Sequence, residues 1–519
     1  MTTATPYRSQ IRPPRTGFGQ SLRAEWTKFR TVRGWVIGIL VAIGATLLIG
    51  ILPPAAGTIS CGDQACTPTT PPLGPDGTPV SDTFYFVHQP LTGDGGITVH
   101  LASLTGLYPT RGSRPAGLGP LAGMSPGTQP WTKGGIIVKQ NLTPGSAYAA
   151  VLRTGGHGVR MQYDYTHDTA GAATASWLRL TRSGDTLTGY DSADGANWTE
   201  IGVARLPGLP TKVQIGLFVA SPEYSVVTQS FGGATSRGGP SLGIAHFDDV
   251  SVRGGTGAWT GGAVTDDGRR NAASGDDGYT RDANGFTLTG SGDIAPAIAG
   301  HGVDNTLDTY LVGVFAGLIA LIVVATMFVT AEYRRGLIRV TLAATPNRGQ
   351  VLAAKAVVVG VVAFVAGLVA VALVVPLAGA WWYAKGVALF PTPTWTEVRA
   401  IVGTAALLAV SSVLAVAVGA LLRRSAAAVT AIIVAIVLPY ILAVASAVPA
   451  GAAEWLTRVT PAAAFSIMQT VVRYPQVDSG YTPADGYFPL PPWGGFAVLC
   501  GYAAVALVLA TVLLRRRDA

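Results

Sequence analysis

Six stretches, each roughly 20 residues long and free of charge, leave this chain few places to fold other than a lipid bilayer. They run 34–52, 309–331, 356–380, 400–422, 426–447 and 494–514. Only 12% of the 519 residues are charged, against about 25% in an ordinary soluble protein. Disorder, a collagen-like fibre and a disulfide-rich miniprotein are excluded by the same composition. Between the first and second runs lies a long insert, 53–308, whose texture is that of a β protein. The first run could be mistaken for a signal peptide. Its apolar core exceeds the roughly 7–15 residues of such peptides, and a long basic arm precedes it, so it reads as a retained anchor.

Basic residues set the expected orientation. Arg8, Arg12, Arg15, Arg23, Lys28, Arg30 and Arg33 fill the N-terminal arm, 1–33. Arg334, Arg335, Arg339, Arg348 and Lys355 lie in the second-to-third connection, 332–355. Arg423 and Arg424 follow the fourth run, and Arg515, Arg516 and Arg517 close the chain. All of these fall on one side, which is expected to be cytoplasmic. Both termini are then inside a plasma membrane and the insert is extracellular. Topology therefore accounts for the net charge of +8 without any nucleic-acid partner.

Residues 53–81 are rich in Pro, Thr and Gly and read as a linker. Cys61 and Cys66 in CGDQAC form either a disulfide or two free thiols; no nearby His or second Cys pair suggests zinc. Across 82–253, about ten short alternating runs separated by turn signals predict a sandwich of jelly-roll type. Residues 254–308, Gly- and Asp-rich, read as solvated loops leading back to the membrane. In all, the sequence predicts a membrane all-α six-helix bundle with an inserted all-β jelly-roll sandwich domain.

Within the insert, WLRLTRSGDTLTGYDSADGANWTEIG and the closing FDDVSV resemble a concanavalin/laminin-G-like module. Ser192, Asp194, Gly195 and Trp198 form its hairpin signature: Asp-Gly permits a positive φ, and Trp198 is expected in the core. The resemblance implies a possible envelope glycan as ligand. Glycoside hydrolysis needs two suitably spaced carboxylates. The insert holds only two Glu, Glu200 and Glu223, and Asp248 and Asp249 are adjacent, so the sequence argues against that chemistry.

Inside the six runs there are no ionisable side chains of the kind that bind or relay a coupling ion. A phosphate-binding loop is excluded as well, because no Lys is followed by Ser or Thr. What remains is a basic surface. SLRAEWTKFRTVRG predicts an amphipathic interface helix on membrane lipid, carrying Glu25, Trp26, Lys28 and Phe29. AEYRRGLIRVTLAATPNRGQVLAAK, after the second run, predicts a short docking helix with Leu337, Ile338, Val340 and Leu342 as its apolar stripe.

EWTKFRTVRGW, EYRRGLIRVTL, ATPNRGQVLAAK, TPAAAF and the LLRRRDA tail together resemble actinobacterial ABC transporter permeases of the type 2 export class. The resemblance implies a homodimer or paralogue heterodimer driven by a separate cytoplasmic ABC ATPase. Catalytic, cofactor and metal residues are then expected in none of this chain, with ATP and magnesium in the partner. Glu332, Tyr333, Arg334, Arg335, Gly336, Ile338, Arg339 and Thr341 match the family's coupling segment, and 451–492 its re-entrant exterior stretch. The expected function is the membrane-spanning subunit of an ATP-driven exporter. The alternative is a membrane-anchored carbohydrate-binding or sensing protein without transport.

Overall fold

A computed structural model describes residues 17–516 apart from 53–69, 110–123, 231–232, 240, 256, 266–276, 284, 299–304, 335, 337–346, 386, 388, 446, 478–480 and 484–485. Cys61 and Cys66 therefore lie outside the described residues, as do Arg335, Ile338, Arg339 and Thr341.

Among the described residues, six helices are long and apolar enough to cross a membrane. After a surface helix, α1 (Phe18–Thr31), come α2 (Arg33–Ile51), the short α3 (Leu307–Tyr310) running into α4 (Val314–Arg334), and α5 (Arg348–Ala384). Then follow α6 (Thr394–Leu422), α7 (Ser425–Val444), the short α8 (Ala450–Val459) and α9 (Pro492–Arg516). Several exceed the apolar runs that predict them. α5 starts eight residues before the uncharged stretch at 356, because Arg348 and Lys355 find partners within the bundle. α2 and the turn that leads into α4 touch backbone to backbone: a Cβ on Gly313 would meet the Thr46 carbonyl at 2.3 Å. Leu40, Leu48, Val505 and Val508 point outward, as lipid-facing side chains do. Residues 461–468, a 3-10 segment, are buried throughout and pack on α9 and α6.

The insert forms the all-β domain. Its spine is β2 (Phe84–Pro109), one continuous strand where the sequence pattern predicts two. β11 (Lys212–Ala220) and β15 (Thr260–Val264) pair with its first half, and β8 (Trp177–Ser183) with its middle. β14 (Leu242–Gly255) runs along most of its second half. β4 (Lys133–Lys139), β5 (Tyr148–Thr154), β6 (Val159–Tyr163) and β7 (His167–Ala170) extend the sheet beyond β11. β9 (Thr186–Ser192) and β10 (Thr199–Arg205) extend it beyond β8, β3 (Met124–Pro126) pairs with the end of β2, and β12 (Tyr224–Ser230) and β13 (Gly233–Gly239) pair with each other. Val87, Leu91, Ile97, Leu180, Leu217 and Phe247 fill the space enclosed.

The domain also reaches further along the chain than 253. Where the Gly/Asp-rich composition predicts solvated loops, β15, β16 (Gly278–Arg281), β17 (Phe286–Gly290) and β18 (Ile294–Pro296) are strands. Phe286 and Leu288 are buried and β17 pairs with β14, so two apolar side chains outweigh the turn-rich surroundings.

β1 (Val80–Asp82) and β18 pair with each other, Val80 opposite Pro296. This ribbon joins the domain to α2 and α4, and two buried lysines of β4 hold it down. Lys139 Nζ donates to Asp82 Oδ2 at 2.7 Å, and Lys133 Nζ to Asp293 Oδ1 at 2.6 Å. Neither lysine is accessible to solvent. Tyr165 Oη (2.8 Å) and the Gly145 amide (2.8 Å) donate to the same Asp82 oxygen. Burial, reinforced by the Asp82 charge, pushes the Tyr165 hydroxyl far above its ordinary range, so it remains a donor.

Candidate functional site: an ionic clamp at the basic end of the bundle

α1 repeats Ser21, Glu25 and Phe29 at four-residue spacing, and these three are its buried positions. Leu22 packs beside them, whereas Trp26 is 46% exposed on the outer face. The helix is thus amphipathic, as its sequence predicts, but its inner face rests on protein. Phe29 meets Phe328 of α4 edge-on at 5.5 Å, and Trp35 of α2 meets the same ring at 5.9 Å.

Around this aromatic cluster sits a four-membered ion network. Lys355 Nζ lies 2.7 Å from both Glu25 Oε2 and Glu332 Oε1. Lys28 Nζ lies 2.9 Å from Glu25 Oε1 and 3.2 Å from Glu332 Oε1. Lys355 also stands 4.8 Å from the centre of the Phe328 ring. Two carboxylates against two ammonium groups leave the cluster neutral, which is what allows Glu25 and Lys355 to be only 2% exposed. Burial draws the Lys28 pKa down, but Glu25 and Glu332 outweigh it, and the net result is above 10.5. Glu332 Oε2 is buried without a hydrogen-bond partner.

The clamp joins three elements at one point: α1, the end of α4 and the first turns of α5. Local sequence explains the two helix ends. α4 stops at Arg334, where Gly336 takes φ +65 and its amide reaches back to the Tyr333 carbonyl. α5 is capped by Asn347, whose side chain accepts from the Gln350 amide. Tyr333 turns toward Arg423, whose guanidinium lies 5.2 Å from its ring, and Arg348 donates to the Leu514 carbonyl at 2.7 Å.

Of the predicted coupling residues, the structure brings Glu332 into the clamp and sets Tyr333, Arg334 and Gly336 at its edge. Of the interface-helix residues, Glu25, Lys28 and Phe29 join it and Trp26 does not. Lys355 is the member that sequence reasoning missed as a site residue. Its signal was available: Arg348, Val351, Leu352 and Lys355 are spaced as one helical face.

In the β domain, Ser192–Trp198 make the turn between the paired strands β9 and β10, with Gly195 at φ +75. Asp194 accepts from the Asn197 amide and side chain and the Ala196 amide, each within 2.9 Å, and from Ser192 Oγ. The Asn197 contacts lead in holding its carboxyl well below the usual range. Trp198 is not in the core. Its indole N–H donates to the Gly195 carbonyl, and the Arg179 guanidinium covers its ring at 3.7 Å, which seats it on the sheet surface. The domain also grips the bundle: Gln476, 3% exposed, donates to the Tyr165 and Thr166 carbonyls at 3.3 and 3.4 Å.

A six-span bundle with a β domain inserted after its first span is a multi-pass membrane protein. The profile of the ABC-2 family transporter proteins matches residues 165–519, more than half the chain and all five spans after the insert, so the chain belongs to that family. It is accordingly a membrane subunit of the ABC permease type. No curated protein matches it. Among solved structures, one titled "The crystal structure of a functionally unknown protein from Saccharomyces cerevisiae" is similar, at 15% identity and a TM-score of 0.22. That likeness covers 37% of this chain and 86% of the other.

Proposed function

We propose that this chain is the permease subunit of an ATP-driven exporter, with the clamp end in the cytoplasm and the β domain outside. A separate ABC ATPase grips the segment 335–346, supplies ATP and magnesium, and drives a dimer of permeases. The observation that carries this reading is the clamp: it fixes both ends of that segment to each other and to α1. A push on the segment therefore reaches α1, α4 and α5 together instead of dissipating in a loose loop. Outside, the β domain binds an envelope glycan or the exported molecule.

Affinity purification of the full chain from membranes tests this. A nucleotide-binding subunit should co-purify with the wild type and be lost from the Arg335→Glu, Arg339→Glu double variant. Recovery of no ATPase with the wild type, or accessibility of a cysteine at Tyr333 only from outside the cell, would falsify the assignment.

A further inference from the structure

At the opposite end of the bundle from the clamp, the chain's linkers meet around a cleft of about 320 Å³. Leu73 and Asp76 come from the turn before β1, Ile298 from the exit after β18, and Phe390 from the α5–α6 connection. Val471 and Tyr474 come from the stretch that follows the buried 3-10 segment. The walls are mainly apolar, and among the lining residues Asp76 alone is charged. The nearest following cation, Arg473, is engaged elsewhere, its guanidinium 5.5 Å from the Tyr481 ring. Thr470 Oγ1 is buried in the wall without a hydrogen-bond partner. Apolar surface continues to the mouth, where Leu73 and Val472 are more than half exposed. Close by, Trp381 and Trp395 stand out from the facing ends of α5 and α6, as residues at a membrane–water boundary do.

We infer that this cleft holds the single alkyl chain of a cationic amphiphile on the exterior side of the membrane. Its volume lies at the lower end of the roughly 300–1,000 Å³ usual for small-molecule sites, which suits one chain and excludes a two-chain lipid. The apolar walls take the chain, Asp76 faces the cationic head, and an oxygen next to that head meets the Thr470 hydroxyl. Because one wall is β domain and the other is bundle, the guest also bridges the two bodies that Gln476 joins. The inference names a cargo class for the exporter and rests on that reading for which side the cleft faces. Binding itself is measured without the ATPase, so failure here leaves the co-purification result standing, and the reverse also holds.

The test uses the full chain in phosphatidylcholine nanodiscs and lauroylcholine carrying a diazirine at its chain end. After irradiation, peptide mapping should place the label on 389–395 or 469–475. Unmodified lauroylcholine should compete and dodecyl sulfate should not. Filling the cleft from either wall, by Val471→Trp or Ile298→Trp, should reduce labelling about tenfold, the worth of roughly two methylene groups withheld from it. Asp76→Asn should remove the preference for the cationic competitor. Label confined to outward-facing helix surfaces overturns the proposal, as does labelling unchanged in both Trp variants. Two variants on opposite walls guard against a single misfolded one.

Discussion

Lys355 Nζ and Glu332 Oε1 lie 2.7 Å apart, which holds the first turns of α5 against the end of α4. Glu25 closes the arrangement from α1, 2.7 Å from the same lysine. Three helices are thereby pinned at one point by a neutral, buried set of charges.

Removing one partner leaves the others buried and uncompensated, which costs about 3–5 kcal/mol. Lys355→Met should therefore release α1 from the bundle. A spin label at the exposed position of Trp26 should sharpen from an immobilised to a mobile spectrum, and ATPase stimulation in the reconstituted complex should fall. The Glu25→Gln, Glu332→Gln, Lys355→Met triple variant, with fewer stranded charges, should restore much of the lost stability.

The clamp should also weaken in alkali. The folded-state pKa of Lys28 lies above its ordinary 10.5, so its contribution is complete below that value and disappears as pH rises through the folded value. Spin-label mobility at position 26 should stay flat from neutral pH to about pH 10 and rise beyond it. A rise at pH 8 would contradict the arrangement.

His88 makes the β domain sensitive to acid. Burial lowers its pKa from 6.5, only partly offset by the hydrogen bond with Gln214 Oε1. The unfolded chain then binds a proton that the folded domain refuses, so stability falls as pH drops below 6.5. The melting temperature of the β-domain transition in the full chain should decline between pH 7 and 5. In His88→Gln the slope over that window should be shallower.

Within the hairpin, Gly195→Ala should cost about 1–2 kcal/mol. The position has φ +75, and a Cβ would lie 2.8 Å from the Trp177 ring. Hydrogen exchange should show faster opening of residues 192–199 in the variant, while the core strands β4 and β5 keep their protection.

The bundle was legible because a bilayer imposes one rule, a long uncharged run, on every span. Charge is also why the helix starts were not: Arg348 and Lys355 interrupt the run at the level of composition but are satisfied by Leu514, Glu25 and Glu332, far away in sequence. In the β domain, alternation revealed strands with dense apolar signal such as β4 and β8. In β17 Phe286 and Leu288 also alternate with threonines, but over five residues in Gly/Asp-rich surroundings, and β18 is only three residues long; pairing with β14 and β1, far away in sequence, fixes both. Trp198 illustrates a different limit. Sequence gives an aromatic ring near a turn, and only the position of Arg179 across the sheet decides that the ring is covered from outside. The same holds for the clamp, since Glu25 and Lys28 look like ordinary surface charges until α5 supplies Lys355.

Because Val80 faces Pro296 across one ladder, the β domain begins and ends at a single seam. Everything between behaves as a cassette whose two cut points already touch. The two lysines of β4 are the rivets of that seam, Lys139 on Asp82 and Lys133 on Asp293.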